Sequence, residues 1–200
     1  MKMFRYLLAP ILAVGMALPA AAEKIPLDVL SNYINSLKTA TTTFKQINGD
    51  GTVSTGTLYM HRPGRARFEY AEPDDTLVVA GGSQVAIFDG KSNTGPEQYP
   101  LKRTPLSLIL ARNVNLRNAK MLVAHQAFGQ DTVVRAQDPE HPEYGSIDLI
   151  FSDNPVRLKE WIINDSGGGS TRVMLNDLQT GVSLRAGLFN ITKAIDDRNR

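Results

Sequence analysis

The feature that most constrains this chain is a period-two alternation of apolar and polar residues, recurring from about residue 41 to residue 178. In the stretch GTLYMHRPGRARFEY (56–70), Leu58 and Met60 alternate with Thr57, Tyr59 and His61. After Pro63-Gly64, Ala66, Phe68 and Tyr70 alternate with Arg65, Arg67 and Glu69. Successive side chains of an extended strand point to opposite faces, so each half is a strand with one apolar face. The same reading gives eleven strands, over roughly 41–48, 52–61, 65–71, 76–80, 84–89, 97–100, 120–125, 131–137, 146–151, 156–164 and 170–178. Turn residues separate many of them: Pro63-Gly64, Gly81-Gly82, Asp89-Gly90, Gly129, Pro139–Gly145, Asp153–Pro155 and Gly167–Gly169. Short strands so closely spaced build one antiparallel, strongly curved sheet or open barrel.

Two segments depart from period two. Over 27–38, Leu27, Leu30, Ile34 and Leu37 recur at helical spacing, and Pro26 suits an opening position. The threonine-rich run Thr39–Thr43 then returns the chain to strand. In the middle of the meander, Thr104 reads as an N-cap and Pro105 as the first helical residue. Leu106, Leu108, Ile109 and Leu110 make the following helix, up to Ala111, apolar nearly all round. Such a helix must be covered on most sides, and a sheet wrapped around it would do so.

The chain start is not part of this pattern. Lys2 and Arg5 precede the almost wholly apolar run Tyr6–Leu18, and Ala20–Ala22 follow Pro19. Residues 1–22 read as a secretory signal peptide cleaved after Ala22, leaving a single domain over 23–200. The apolar run is too short for a comfortable membrane span. Losing Lys2 and Arg5 takes the formal charge of +2 to about zero. The basic pI of 8.9 therefore reflects export and gives no reason to expect nucleic acid. The chain has no cysteine. It enters an oxidising compartment without disulfides, and it lacks the thiol through which exported proteins are lipidated. These features describe a soluble, monomeric periplasmic protein.

A search for catalytic groups yields little. His61, His125 and His141 have no second histidine at helical spacing, and no metal site is expected. His141 lies in an acidic loop with Asp138, Glu140 and Glu143, which reads as solvated. There is no G-x-S-x-G elbow. SGGGS (166–170) lies between two strands, without the helix or lysine that a phosphate cradle needs, and reads as a hairpin loop. The carboxylate pairs Asp74-Asp75 and Asp196-Asp197 sit in polar turn or tail sequence. An enzyme is not indicated, nor is a cofactor. A curved sheet with apolar helices suggests a container.

One residue breaks the strand logic. Arg65 and Arg67 fall on the polar face and are expected to be exposed, guarding the strands against mispairing. Arg62 instead follows Leu58 and Met60 onto the apolar face. Either it snorkels past its aliphatic stem to water, or its five donors latch the carbonyls of a covering helix at the rim of an apolar cavity.

The order of several short motifs resembles the periplasmic outer-membrane lipoprotein carrier family, LolA. Phe44-Lys45-Gln46 is similar to that family's F-x-Q strand. Gly56-x-Leu58, Arg62-Pro63, Phe68-Glu69-Tyr70, Pro73, Leu77-Val78-Val79, Phe88-Asp89, Thr104-Pro105-Leu106 and Ala111-Arg112-Asn113 follow in sequence. Ala66 stands where many members carry a bulkier apolar residue, and GLFNITKAIDD (187–197) is only loosely similar to the family's last strand. The resemblance implies an incomplete antiparallel barrel closed by helices over a cavity for lipoprotein acyl chains. It implies that Arg62 is the lid latch, released when cargo enters.

On that basis the chain is expected to carry acylated lipoproteins from an inner-membrane ABC-type release complex to a LolB-like acceptor or directly to the outer membrane. Leu58, Met60, Phe68, Tyr70, Leu106, Ile109 and Leu110 are the candidate cavity residues; each could equally be ordinary core. A sensor or accessory protein of the same fold that reads lipids or lipoproteins is the alternative. A lipid-acting enzyme and a structural protein with a closed core are further rivals. The export reading makes a direct prediction: mass spectrometry of the exported protein should find Glu23 as the first residue, and a retained N-terminal segment would refute it.

Overall fold

The computed structural model describes residues 23–92, 94–104 and 106–199, so the signal-peptide reading of 1–22 lies outside the described residues. The chain opens with α1 (Leu27–Ser36) and then runs β1 (Thr39–Ile47), β2 (Val53–His61), β3 (Arg65–Tyr70), β4 (Leu77–Gly81), β5 (Gln84–Phe88) and β6 (Glu97–Pro100). A covering segment follows, comprising a 3-10 turn at Leu101–Arg103, α2 (Leu106–Leu110) and a second turn at Leu116–Asn118. Then come β7 (Leu122–Phe128), β8 (Asp131–Gln137), β9 (Ser146–Ser152), β10 (Arg157–Asn164), β11 (Ser170–Leu175), the two-residue β12 (Gln179–Thr180) and α3 (Ile191–Arg198).

Eleven strands form one open antiparallel sheet in the order β6-β5-β4-β3-β2-β1-β11-β10-β9-β8-β7, and β12 adds a short pairing to β1. The two meanders, β1–β6 and β7–β11, are joined through β1 and β11, with Phe44 opposite Leu175 and Ile47 opposite Arg172. The edges are β6 and β7, so residues 101–121 must pass from one edge to the other. The sheet is curved, and its concave face carries the main core. Leu58, Met60 and Phe68 cluster there with Leu30 and Ile34 of α1, Phe151 of β9, Trp161 of β10, and Ile109 and Leu110 of α2. The architecture is the open antiparallel sheet expected from the strand pattern, covered by helices as the family resemblance implies.

The hairpin at Pro63-Gly64 is as read, with His61 opposite Arg65 and Leu58 opposite Phe68. Gly64 takes a positive φ of 73°, which a side chain would strain. SGGGS likewise closes the β10–β11 hairpin, where the Asp165 carboxylate accepts from the Gly167 and Gly169 amides at 2.8 and 2.9 Å.

Four expectations need correction. First, α1 stops at Ser36, and Leu37 is its C-cap. Second, Thr104 does not cap α2 through its side chain; its hydroxyl donates to the Leu101 carbonyl at 2.9 Å instead, because the preceding 3-10 turn offers that acceptor first. Pro105 lies outside the described residues. Third, 187–197 is not a strand but a 3-10 turn followed by α3, whose Asn190 side chain accepts from the Lys193 amide at 2.9 Å. Fourth, Arg65 and Arg67 are not simply exposed, because the C-terminal segment lies over them. Arg67 Nη1 donates to the Leu188 carbonyl at 3.2 Å, and the Arg65 guanidinium sits 6.0 Å from the centre of the Phe189 ring.

That C-terminal segment also explains why β4 and β5 are apolar on both faces. Leu77, Val79, Ala86 and Phe88 point to the convex side and pack with Ala194, Ile191 and Ile195 of α3 in a second, smaller core. Gly81 permits the approach, since a β-carbon there would collide with the Phe189 carbonyl oxygen.

Because α2 is wedged into the concave core with Ile109 only 4% exposed, Ile109→Asp should destabilise the protein by several kcal/mol, through an unpaired carboxylate in an apolar site. Thermal unfolding checks this; wild-type melting would show that α2 does not fill the sheet.

Candidate functional site

Arg62 leaves β2 on the concave side, at the hairpin tip beneath α1 and α2. It is 5% exposed, so its head does not snorkel to water. One terminal nitrogen, Nη1, donates to the Ile34 carbonyl and more distantly to the Leu37 carbonyl at 3.4 Å. The other, Nη2, donates to the Ala111 carbonyl at 2.5 Å and to the Asn35 side-chain oxygen at 3.2 Å. The acceptors belong to the C-terminal end of α1 and to the residue just past α2. Carbonyls at a helix C-terminus lack intrahelical partners and carry partial negative charge, so a cation suits them. The backbone of the same hairpin joins in: the Arg62 amide donates to Lys38 O at 2.8 Å and the Gly64 amide to Leu110 O at 2.9 Å.

The electrostatics set Arg62 apart from its fellow arginines. On the sheet's other half, Arg135 holds Asp148 with two bonds of 2.6 and 2.7 Å, and Arg172 holds Glu160 with two of 2.8 Å. Those carboxylates push the two guanidinium groups above their ordinary pKa. Arg62 forms no ion pair among the described residues, and burial pulls its pKa below the ordinary value. Its Nε is buried without a partner. The charge is therefore held by dipoles alone, which makes it weakly compensated for so buried a group.

Asn35, which the sequence does not single out, ties α1 to the covering segment beside Arg62. Its side-chain nitrogen donates to the Val114 carbonyl at 2.8 Å, and its oxygen accepts from the Val114 amide at 2.9 Å while also receiving Arg62. One amide thus imitates a strand neighbour for Val114. Ser31 repeats the device one turn earlier, accepting from the Leu116 amide at 3.0 Å. A signal was available: Ser31 and Asn35 are four residues apart on one face of an amphipathic helix. Nothing local distinguishes them from solvated polar residues.

The candidate cavity residues come together. Leu58, Met60, Phe68, Ile109 and Leu110 belong to one buried cluster, and Tyr70 and Leu106 pack against it half-buried. The Tyr70 hydroxyl donates to Gln46 at 2.7 Å, and burial, with Asp74 nearby, pushes its pKa up to about 12. Ala66 faces Met60 across the β2–β3 pair and Ala80 across β3–β4, so small residues meet under the lid at this corner. These side chains occupy the concave face themselves. A cleft of about 680 Å³ opens beside the end of α1, where Tyr33, Leu37, Val156, Leu158, Leu175 and Leu178 supply apolar wall. Leu37 is common to the cleft and the Arg62 acceptors. No described helix is long and apolar enough to cross a membrane.

An open antiparallel sheet with a packed concave face, covered by helices and pinned by one buried cation, defines the class of lidded half-barrels. Residues 35–192 match the family model described as outer membrane lipoprotein carrier protein LolA, and the chain belongs to that family. Similar curated proteins carry the name outer-membrane lipoprotein carrier protein. The one from Methylococcus capsulatus is 26% identical, over 96% of this chain and 95% of its own. The one from Chromobacterium violaceum is 25% identical, over 94% and 92%. A solved structure of a DUF1329 family protein from Desulfovibrio piger shares the fold, with a TM-score of 0.50 at 12% identity over 84% of this chain and 96% of that one.

The lid geometry predicts that Asn35→Ala will strand the Val114 amide and carbonyl and remove one Arg62 acceptor. A loss of about 1–3 kcal/mol is expected, with faster amide exchange concentrated in 111–118. Denaturant unfolding and hydrogen exchange measure both, and unchanged exchange there would refute the clamp.

Proposed function

We propose that this chain is a non-catalytic periplasmic carrier that shelters the acyl chains of lipoproteins between its concave sheet and its helical lid. The observation that carries the reading is Arg62: a buried cation whose acceptors are lid groups and whose charge no carboxylate neutralises among the described residues. The names of the family's curated members support lipoproteins as the cargo. Burying each methylene gains about 0.8 kcal/mol, so acyl chains do not cross water unaided at a useful rate. A carrier must also let them go, which requires that holding cargo have a cost.

The lid supplies that cost. Closed, it satisfies Arg62 and packs Leu106, Ile109 and Leu110 onto Leu58, Met60, Phe68 and Tyr70. Acyl chains that enter must displace those apolar contacts and break the Arg62 bonds, each charge-assisted bond being worth about 1.5–3 kcal/mol. The displaced apolar area is replaced by acyl surface, whereas the arginine bonds are not replaced. Re-forming them on closure favours expulsion. In this reading an inner-membrane ABC-type release complex loads the open carrier. A LolB-like acceptor, or the outer membrane itself, receives the cargo, and residues 1–22 direct export.

The test separates loading from unloading. Arg62→Leu keeps an apolar stem and removes every donor. It should accept lipoprotein from inner membranes at close to the wild-type level and release it to purified acceptor at least about ten-fold more slowly, as loss of a single charge-assisted bond implies. Cargo-loaded protein should accumulate. Arg62→Lys should rescue in part, since an ammonium cannot reproduce the planar fork. Lost loading with intact unloading, or wild-type values for both, would refute the latch.

A further inference from the structure

The chain's charge is close to balanced overall but sharply segregated along its length. Residues 98–130 contain no aspartate or glutamate and carry Lys102, Arg103, Arg112, Arg117 and Lys120. The next stretch, 131–165, carries eight acids against three bases. The basic stretch is the covering segment with its flanks. Its apolar residues Ile109, Leu110, Val114 and Leu116 turn inward and are buried, while all five basic residues are exposed. The lid is therefore two-sided, apolar towards the sheet and cationic towards solvent.

Four of the five charges are free to meet an outside partner. Lys102, Arg103, Arg112 and Lys120 make no hydrogen bond or ion pair among the described residues. Arg117 makes one exposed pair, with Asp28 at 3.1 Å, and its side chain remains 64% exposed. The charges do not converge on a pocket. They are strung along a segment that bridges the two edges of the sheet, from Leu101, whose amide donates to Ser83 O, to Leu122 of β7. Exposed apolar side chains lie close to them in sequence or beside their partner: Val123, three residues after Lys120, is 50% exposed, and Val29, next to Asp28, is 39% exposed.

We infer that the outer face of the lid docks on an anionic lipid surface through Lys102, Arg103, Arg112, Arg117 and Lys120. A spread array of flexible cations suits fluid headgroups, which rearrange to meet it, better than a small anion, which needs converging donors. An acidic protein surface would have to match the array's spacing, and it would not call for the exposed valines. The contact does not depend on lipoprotein carriage. If carriage holds, docking places the lid, rather than the acidic half of the sheet, against the membrane.

The experiment is co-sedimentation of the mature protein, without lipoprotein, with vesicles of phosphatidylcholine alone or with about one third phosphatidylglycerol. Binding is expected to the anionic vesicles only, and to weaken as salt rises. Each basic residue near the surface contributes about five-fold to partitioning, so Lys102→Glu with Arg103→Glu should lose at least about 25-fold. Arg112→Gln with Lys120→Gln should lose a similar factor and guards against a local folding defect. Lys45→Glu, exposed on β1, should bind as wild type. Equal binding to neutral vesicles, no binding to anionic ones, or an equal loss with Lys45→Glu would overturn the proposal. So would an absence of vesicle binding combined with slower hand-over to a purified acceptor in the Lys102→Glu, Arg103→Glu variant, which would assign the face to an acidic protein. Because no lipoprotein is present, failure here leaves the carrier reading standing.

Discussion

The guanidinium of Arg62 is where the helices, the hairpin and the concave core meet. It draws the C-terminal end of α1 and the carbonyl of Ala111 to one point, while the Arg62 and Gly64 amides bind Lys38 and Leu110. A carboxylate at this point would make the closure firm. Carbonyls and one amide oxygen satisfy most of the donors and leave the charge only partly compensated. The covering helices are thereby held at one specific point by bonds of modest strength, as the proposed carrier would require.

The rest of the sheet is fixed by different interactions. The convex side of β8–β11 is tied by the Arg135–Asp148 and Arg172–Glu160 pairs, where arginine does meet carboxylate. The convex side of β3–β5 is covered by the C-terminal turn and α3, held through Phe189, Arg67 and a second apolar core. His61 shares in that cover: its ring lies edge-on to Phe189, and burial, reinforced by the Arg65 charge, lowers its pKa. The convex face is thus fixed by carboxylate pairs and apolar packing. The concave face is covered by helices whose polar contacts run through carbonyls, Asn35 and Ser31.

Charge segregation adds a direction to this design. The basic residues lie on the solvent side of the covering segment, away from its own apolar residues, and the acids follow in β8–β10. A field of this kind orients a protein at a charged surface without any specific contact. In the proposed docking, the basic side of the covering segment would face that surface.

The sequence by itself determined eleven of the strands to within a few residues, and the faces of the residues in the β2–β3 hairpin, because period two is a local property that burial on one side enforces. It placed α1 through Leu30 and Ile34, and it singled out Arg62 by phase alone. It did not reveal α3, whose signal was one Asn190 cap and the spacing of Ile191, Ala194 and Ile195 in a polar tail. It also left Arg65 and Arg67 on an exposed face that a distant segment covers. Tertiary structure decided the joining of β1 to β11, which depends on contacts between residues more than a hundred positions apart. It likewise decided that the Arg62 head is buried against helix carbonyls instead of snorkelling to water, and which backbone groups Asn35 and Ser31 bind. A hydrogen-bond donor is legible in the sequence, but its acceptor is not, because the backbone carbonyls that Arg62 binds belong to no residue type and are brought to it only by the fold.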